Sequence, residues 1–287
     1  MFETIECVHT LDVKEMFIDK MEFAISNYDH KVYYRHDARG TIITAHAVDD
    51  FTILASPKEL KHWTIIEIRK VYPDITIQDE IETMLGLEVS RDRPNRTITL
   101  REEGSIHNCL NAHFPEWKTV PVEDLPHSTL PPMPPRMYKS DTLLDNIVLT
   151  DRDKTLYQRK VGELAWITHT VPELMFVYKL KAKKNANPTE LDIKHVYIII
   201  RYLARLLRTN DISLVTGGDQ GINVIGTVDT SYTLDGENYK SITGATLHTP
   251  SNTGSMLSIC ARRTIYADSS MSAEGIGCHL LVRRILP

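Results

Sequence analysis

The stretch TIITAHAVDDFTILAS, Thr41 to Ser56, decides how this chain is read. Two runs rich in β-branched and apolar residues flank Asp49 and Asp50, which predicts two short strands joined by a tight polar turn. Asp is common in turns, so an ordinary hairpin accounts for the pattern. Adjacent carboxylates at a hairpin tip also repel each other, an arrangement most useful where a divalent cation neutralises both. The stretch alone leaves both readings open.

Working outward, Val13, Met16, Phe17, Met21 and Ala24 fall at helical spacing, and strands are expected over Lys31–Tyr34 and Thr41–Val48. After the aspartates, SPKE offers Ser56 as a cap, Pro57 at the first helical position and Glu59 three residues on, predicting a helix to Tyr72. LGLEVSRDRPNRTITL reads as a second hairpin turning near Pro94 and Asn95, followed by a helix through Ile106 and Leu110. Seven prolines between Pro115 and Pro135 rule out a helix or a central strand there and set a boundary. Beyond it, Tyr157, Val161, Leu164 and Thr168 line one helical face. NPTE at Asn187 opens another helix, with an apolar stripe of Ile193, Val196, Ile200, Leu203 and Leu207. From Ile212 three β runs, near 223–231, 242–249 and 256–264, lead into a helix from about Ser270, an order like the first half of a ribonuclease H fold.

With 287 residues, 42% of them hydrophobic and 25% charged, the chain is long enough for two domains with real cores. The longest apolar stretch, from Val196, is broken by arginines, and no basic-then-apolar leader follows Met1. Neither a membrane span nor a signal peptide is predicted, and an intracellular location, cytoplasmic or nuclear, is expected. Cys7, Cys109, Cys260 and Cys278 form no CxxC pair, which argues against a disulfide framework or a zinc ribbon. In HNCLNAHF, His107, Cys109 and His113 are three candidate ligands without a fourth in view; a helix packed through Ile106, Cys109 and Leu110 accounts for them better.

The net charge of −5 hides a split. Residues 1–135 carry 14 Lys and Arg against 23 Asp and Glu, residues 136–210 carry 14 against 8, and residues 211–287 carry 5 against 7. The basic middle includes Lys179, Lys181, Lys183 and Lys184, which reads either as a phosphate-contacting strip or as a solvated helix end.

Several of these stretches, in this order, resemble the carboxyl-terminal part of a copia-type retrotransposon Pol polyprotein. HAVDDFTILAS is similar to that family's Tyr-Val-Asp-Asp reverse-transcriptase hairpin. MLGLEVSRD and ITLREEGSI are similar to its Leu-Gly-Ile-Glu strand and Leu-Ser-Gln segment. YQRKVGELAWITHTVPEL and NPTELDIKHVYIIIRYL resemble its Val-Gly-x-Leu and Asn-Pro-Thr helices, and VDTSY, KSITG and SSMSAEGIG its ribonuclease H strand, turn and helix. The resemblance runs from about residue 11 to 286.

It implies an α+β chain. A reverse-transcriptase palm and thumb fragment (1–114) would be followed by a proline-rich linker (115–140), a helical connection (141–210) and an incomplete ribonuclease H-like α/β domain (211–287). It also implies that Asp49 and Asp50 bind Mg2+ or Mn2+ for RNA-directed DNA polymerase chemistry, and that Asp229 and Glu274 hold the metals that cut the RNA strand of an RNA/DNA hybrid. Hybrid or other nucleic acid, and other Pol-derived chains, are the implied partners.

The chain also departs from the pattern. It is expected to start too late to hold the upstream acidic strand of the polymerase site, and to stop before the third ribonuclease H carboxylate. Ala47 stands for the signature tyrosine, Val171-Pro172-Glu173 for Arg-Pro-Asp, Ser272 for a glutamate, and Leu257 or a neighbour for a tryptophan. The expectation is a truncated remnant that is inactive as this chain and binds metal weakly. The alternative is a domesticated nucleic-acid or protein binding module. An active polymerase, with a partner chain supplying the missing strand, ranks behind both.

Overall fold

The computed structural model describes residues 4–6, 11–47, 50–78, 80–127, 147–218, 223–235, 240–248, 255–263 and 266–285. The fold is mixed α and β and divides into two compact units, residues 1–85 and 86–287.

The first unit contains β1 (Thr4–Glu6), α1 (Leu11–Glu15), β2 (Ala24–Ile25), β3 (Val32–Asp37), β4 (Gly40–Ala47), β5 (Asp50–Ser56), α2 (Lys58–Val71), β6 (Ile77–Gln78) and β7 (Thr83–Met84). Its main sheet has the order β2-β3-β4-β5-β1-β6. Alternation works as the sequence suggests: Ile42, Thr44 and His46 of β4 and Phe51, Ile53 and Ala55 of β5 are buried, while their neighbours are not. Against this face pack Met16 and Phe17, in a π-helical turn (Met16–Lys20) that continues α1, and Leu60, Ile65 and Ile68 of α2. Phe17 stacks on Tyr33 at 4.9 Å and meets Phe51 edge-on at 5.5 Å. Ala24, expected on the first helix, belongs to β2. Ser56 does not cap α2. It ends β5 opposite Thr41, and Pro57 is the extended residue before the helix, with no side-chain capping bond.

The second unit begins with the hairpin β8 (Leu87–Asp92) and β9 (Thr97–Arg101), then α3 (Glu103–His113). Glu88 of β8 accepts the Gly104 amide at 3.1 Å, so the hairpin itself supplies a cap for α3. Ile106, Cys109 and Leu110 join one helical core with α4 (Asp151–Ile167), α5 (Met175–Lys183) and α6 (Glu190–Thr209). The compact units therefore divide ahead of the proline segment, and residues 86–114 go with the helices because α3 buries its apolar face among them. Short 3-10 turns at Pro115–Lys118 and Val122–Asp124 occupy the first part of the proline stretch; residues 128–146 lie outside the described ones.

Thr189 and Asp192 form a reciprocal capping box at the start of α6, an arrangement that contributes about 1 kcal/mol. Its buried stripe runs through Val196, Ile199, Ile200, Leu203 and Leu206, and the helix ends at Asn210 in the left-handed conformation. The chain then closes back: β10 (Leu214–Gly217) pairs antiparallel with β9, Leu214 opposite Leu100 and Gly217 opposite Thr97. Last come β11 (Ile225–Asp235), β12 (Lys240–His248) and β13 (Leu257–Arg262), an antiparallel meander in the order β11-β12-β13, and α7 (Ser270–Ile285) packed across it. Among the described residues, no helix is long and apolar enough to cross a membrane.

Candidate functional site

Ala47 pairs with Asp50, so the β4–β5 hairpin closes over the two residues between them; Asp49 is one of these and lies outside the described residues. Asp50 opens β5 and is half-buried on the strand face away from the helices, since Phe51, Ile53 and Ala55 take the other face. On its second side β5 meets β1, whose Glu6 is in register with Asp50. A strand from earlier in the chain therefore lies beside the hairpin, with Glu6 opposite Asp50 in the register.

Asp229 lies on β11 opposite Gly244, and Glu274 on the first turns of α7. Val228 and Thr230 face α7, where an added Cβ on Gly277 would meet both side chains. By the pleat, the exposed Asp229 projects from the other face. Glu274 reaches the β11 edge, and its Oε1 accepts the amide of Thr230, the residue directly after Asp229, at 3.2 Å. The helix carboxylate is therefore brought to the strand that carries Asp229, and it is engaged with backbone there. A two-metal centre needs carboxylates converging on the ions from several elements. Asp229 and Glu274 do not fit that demand, because one projects from the opposite sheet face and the other caps a strand edge. Among the described residues no third acidic side chain groups with them. On the Asp229 face a cleft of about 690 Å³, largely apolar, opens between the sheet and Met175 and Phe176 of α5.

The lysine strip does not form. Lys181 is only 6% exposed, with Nζ 2.9 Å from Asp192 Oδ1 and 3.0 Å from His195 Nδ1. The cause is helical phase: Lys181 follows Val177 by four residues on the buried face of α5. Lys179 and Lys183 are exposed on other faces, and Lys184 is half-buried just past the helix end. Much of the basic surplus in 136–210 has internal work. Arg159 bonds Glu163, and Lys160 is buried with Nζ 3.6 Å from the Tyr197 ring centre. Arg201, Arg205 and Arg208 of α6 donate to backbone carbonyls of Trp117, Val120, Val122, Asp124 and Leu125.

Sequence reasoning missed one cluster. Cys109 and His113, four apart on α3, meet Glu163 of α4, whose Oε2 lies 2.8 Å from His113 Nε2. Burial pushes the Cys109 thiol up to about 12, with the neighbouring Glu163 carboxylate adding to the rise. His107 turns away, edge-on to Trp117 at 5.2 Å. The i, i+4 spacing of Cys109 and His113 was visible in the sequence; Glu163, far along the chain, was not.

Compared with known proteins, the chain matches no family model, no curated protein and no solved structure.

Proposed function

We propose that the chain is a catalytically silent relative of the copia-type reverse transcriptase–ribonuclease H region, with a palm-like first unit and a ribonuclease H-like end to the second. The observation that carries this reading is the contact of Glu274 with the amide after Asp229. In a meander-then-helix order, it brings an acidic helix residue to the acidic strand that the resemblance singles out. The β4–β5 hairpin closing over Asp49 supports the same reading. Silence is supported by the donor set: Glu274 is spent on backbone, Asp229 faces the other way, and Mg2+ or Mn2+ would be held weakly by the remaining carboxylates. The reading as a nucleic-acid binding module loses its main support with the burial of Lys181.

The test is primer extension and hybrid cleavage by the purified chain with Mg2+ or Mn2+. No activity is expected. Primer extension abolished by Asp50→Asn or Glu6→Gln, or cleavage abolished by Asp229→Asn, would overturn the silence.

A further inference from the structure

The Sγ of Cys109, a ring nitrogen of His113 and an oxygen of Glu163 all lie within 4.8 Å of one another, on two packed helices. We propose that these three side chains form a binding site for one zinc-type divalent cation, with water as the fourth ligand.

The donor chemistry selects the ion. A thiolate, an imidazole and one carboxylate suit a borderline-soft, tetrahedral cation and not Mg2+, which takes oxygen ligands in an octahedron. Bonds of about 2.0–2.3 Å set tetrahedral ligand atoms roughly 3.3–3.8 Å apart. The His113–Glu163 separation of 2.8 Å must therefore open slightly, and the sulfur must close by about 1.5 Å at most. Both are adjustments of side-chain torsions that leave the helices in place.

The surroundings are consistent with a built site. Cys109 is 2% exposed, and the His113 side chain 5%. Glu163 is 29% exposed at its side chain and leaves a path for the ion and its water. Arg159 Nε holds the other Glu163 oxygen at 3.1 Å, fixing the carboxylate so that Oε2 is the oxygen turned to His113. On binding, the Cys109 proton leaves to solvent. The thiolate and the carboxylate then balance the two charges of the ion, so the filled site is neutral at a buried helix interface. The ion would tie α3 to α4 at the point where the helical core begins. This site uses none of Asp49, Asp50, Asp229 and Glu274, and it stands whether or not the retrotransposon reading does.

The test is titration of the chelator-treated full chain with Co2+ as a spectroscopic stand-in for zinc. One equivalent should bind with a thiolate-to-cobalt charge-transfer band and the intense visible bands of a tetrahedral ion, both displaced by Zn2+. Cys109→Ser should lose the charge-transfer band, and Glu163→Gln should weaken cobalt binding by about tenfold or more. Absence of a stoichiometric band, or a band that survives in Cys109→Ser, overturns the proposal. If Cys109→Ser does not fold, Glu163→Gln decides, and an unchanged cobalt affinity in that variant overturns it.

Discussion

Lys181 and Asp192 form an ion pair sealed between α5 and α6, 2.9 Å from Nζ to Oδ1, each side chain less than a tenth exposed. Asp192 is at the same time the acidic half of the capping box that starts α6. Burial works against the Asp192 carboxylate, but the Lys181 ammonium and the Thr189 donors hold it below the ordinary range. Removing one partner leaves the other charge buried and unpaired. Lys181→Ala should cost about 3–5 kcal/mol in urea unfolding. Lys179→Ala, on the exposed face of the same helix, should change stability by about 0.5 kcal/mol or less.

His195 completes that cluster and carries its pH dependence. Burial, reinforced by the Lys181 charge, pushes its imidazole from 6.5 down to about 4. Between these values the unfolded chain takes up a proton that the folded chain refuses. The stability it contributes is therefore complete above about pH 6.5 and is lost as the pH falls towards 4. Thermal melts across this window should show a falling midpoint in the parent chain and a flatter profile in His195→Gln.

Glu102 runs the other way. It is 1% exposed; burial raises its carboxyl above the ordinary range, and the Thr170 hydroxyl bond at 3.0 Å offsets only part of that. The folded state prefers the neutral acid, so stability is greatest below the unfolded carboxyl value and is lost as the pH rises through it towards the folded one. Glu102→Gln should stabilise the chain at pH 7 by about 1 kcal/mol and remove this dependence, as read by denaturant titrations at acid and neutral pH. An unchanged profile would mean that the carboxyl is ionised in place.

Two glycines of α7 make a matched pair. A Cβ on Gly277 would fall on Thr230 Oγ1 and lie 3.2 Å from Val228 Cγ2, whereas one on Gly275 meets nothing within 4 Å. Gly277→Ala should lift α7 from β11 and cost about 1–3 kcal/mol. Gly275→Ala should gain up to about 1 kcal/mol from helix propensity alone. Equal effects in hydrogen-exchange or melting measurements would rule out the close approach of helix and strand.

Arg205 anchors the proline-containing segment by donating to the carbonyls of Val122 and Leu125. Arg205→Met, which keeps most of the apolar stem, should leave the α6 core intact and raise proteolytic cutting in the segment after Trp117 several-fold. Cutting that stays at the parent rate would show that the bonds do not hold the segment.

What the sequence made legible was periodic. The β4–β5 hairpin followed from alternation around Asp49 and Asp50, and α6 followed from the spacing of Val196, Ile200 and Leu203, because one buried face forces those repeats. The fate of a charge was harder to read. A count of lysines cannot say which face each occupies, although the step from Val177 to Lys181 carried the signal that Lys181 turns inward. Clusters closed by long-range packing were out of reach: Glu163 at Cys109, Asp192 at Lys181, and Glu6 beside Asp50 depend on helix docking and strand register that no local pattern encodes.

The pairing of β9 with β10 sets a schedule for a growing chain. Thr97 emerges early from the ribosome, but its partner Gly217 follows only after the whole helical core has been made. The edge of β9 must therefore wait unpaired through the synthesis of α3 to α6, while the sheet β2-β3-β4-β5-β1-β6, whose strands all lie within residues 1–85, is free to fold at once. The helices must assemble first and carry β10 into place, so their packing acts as the template for the last strand.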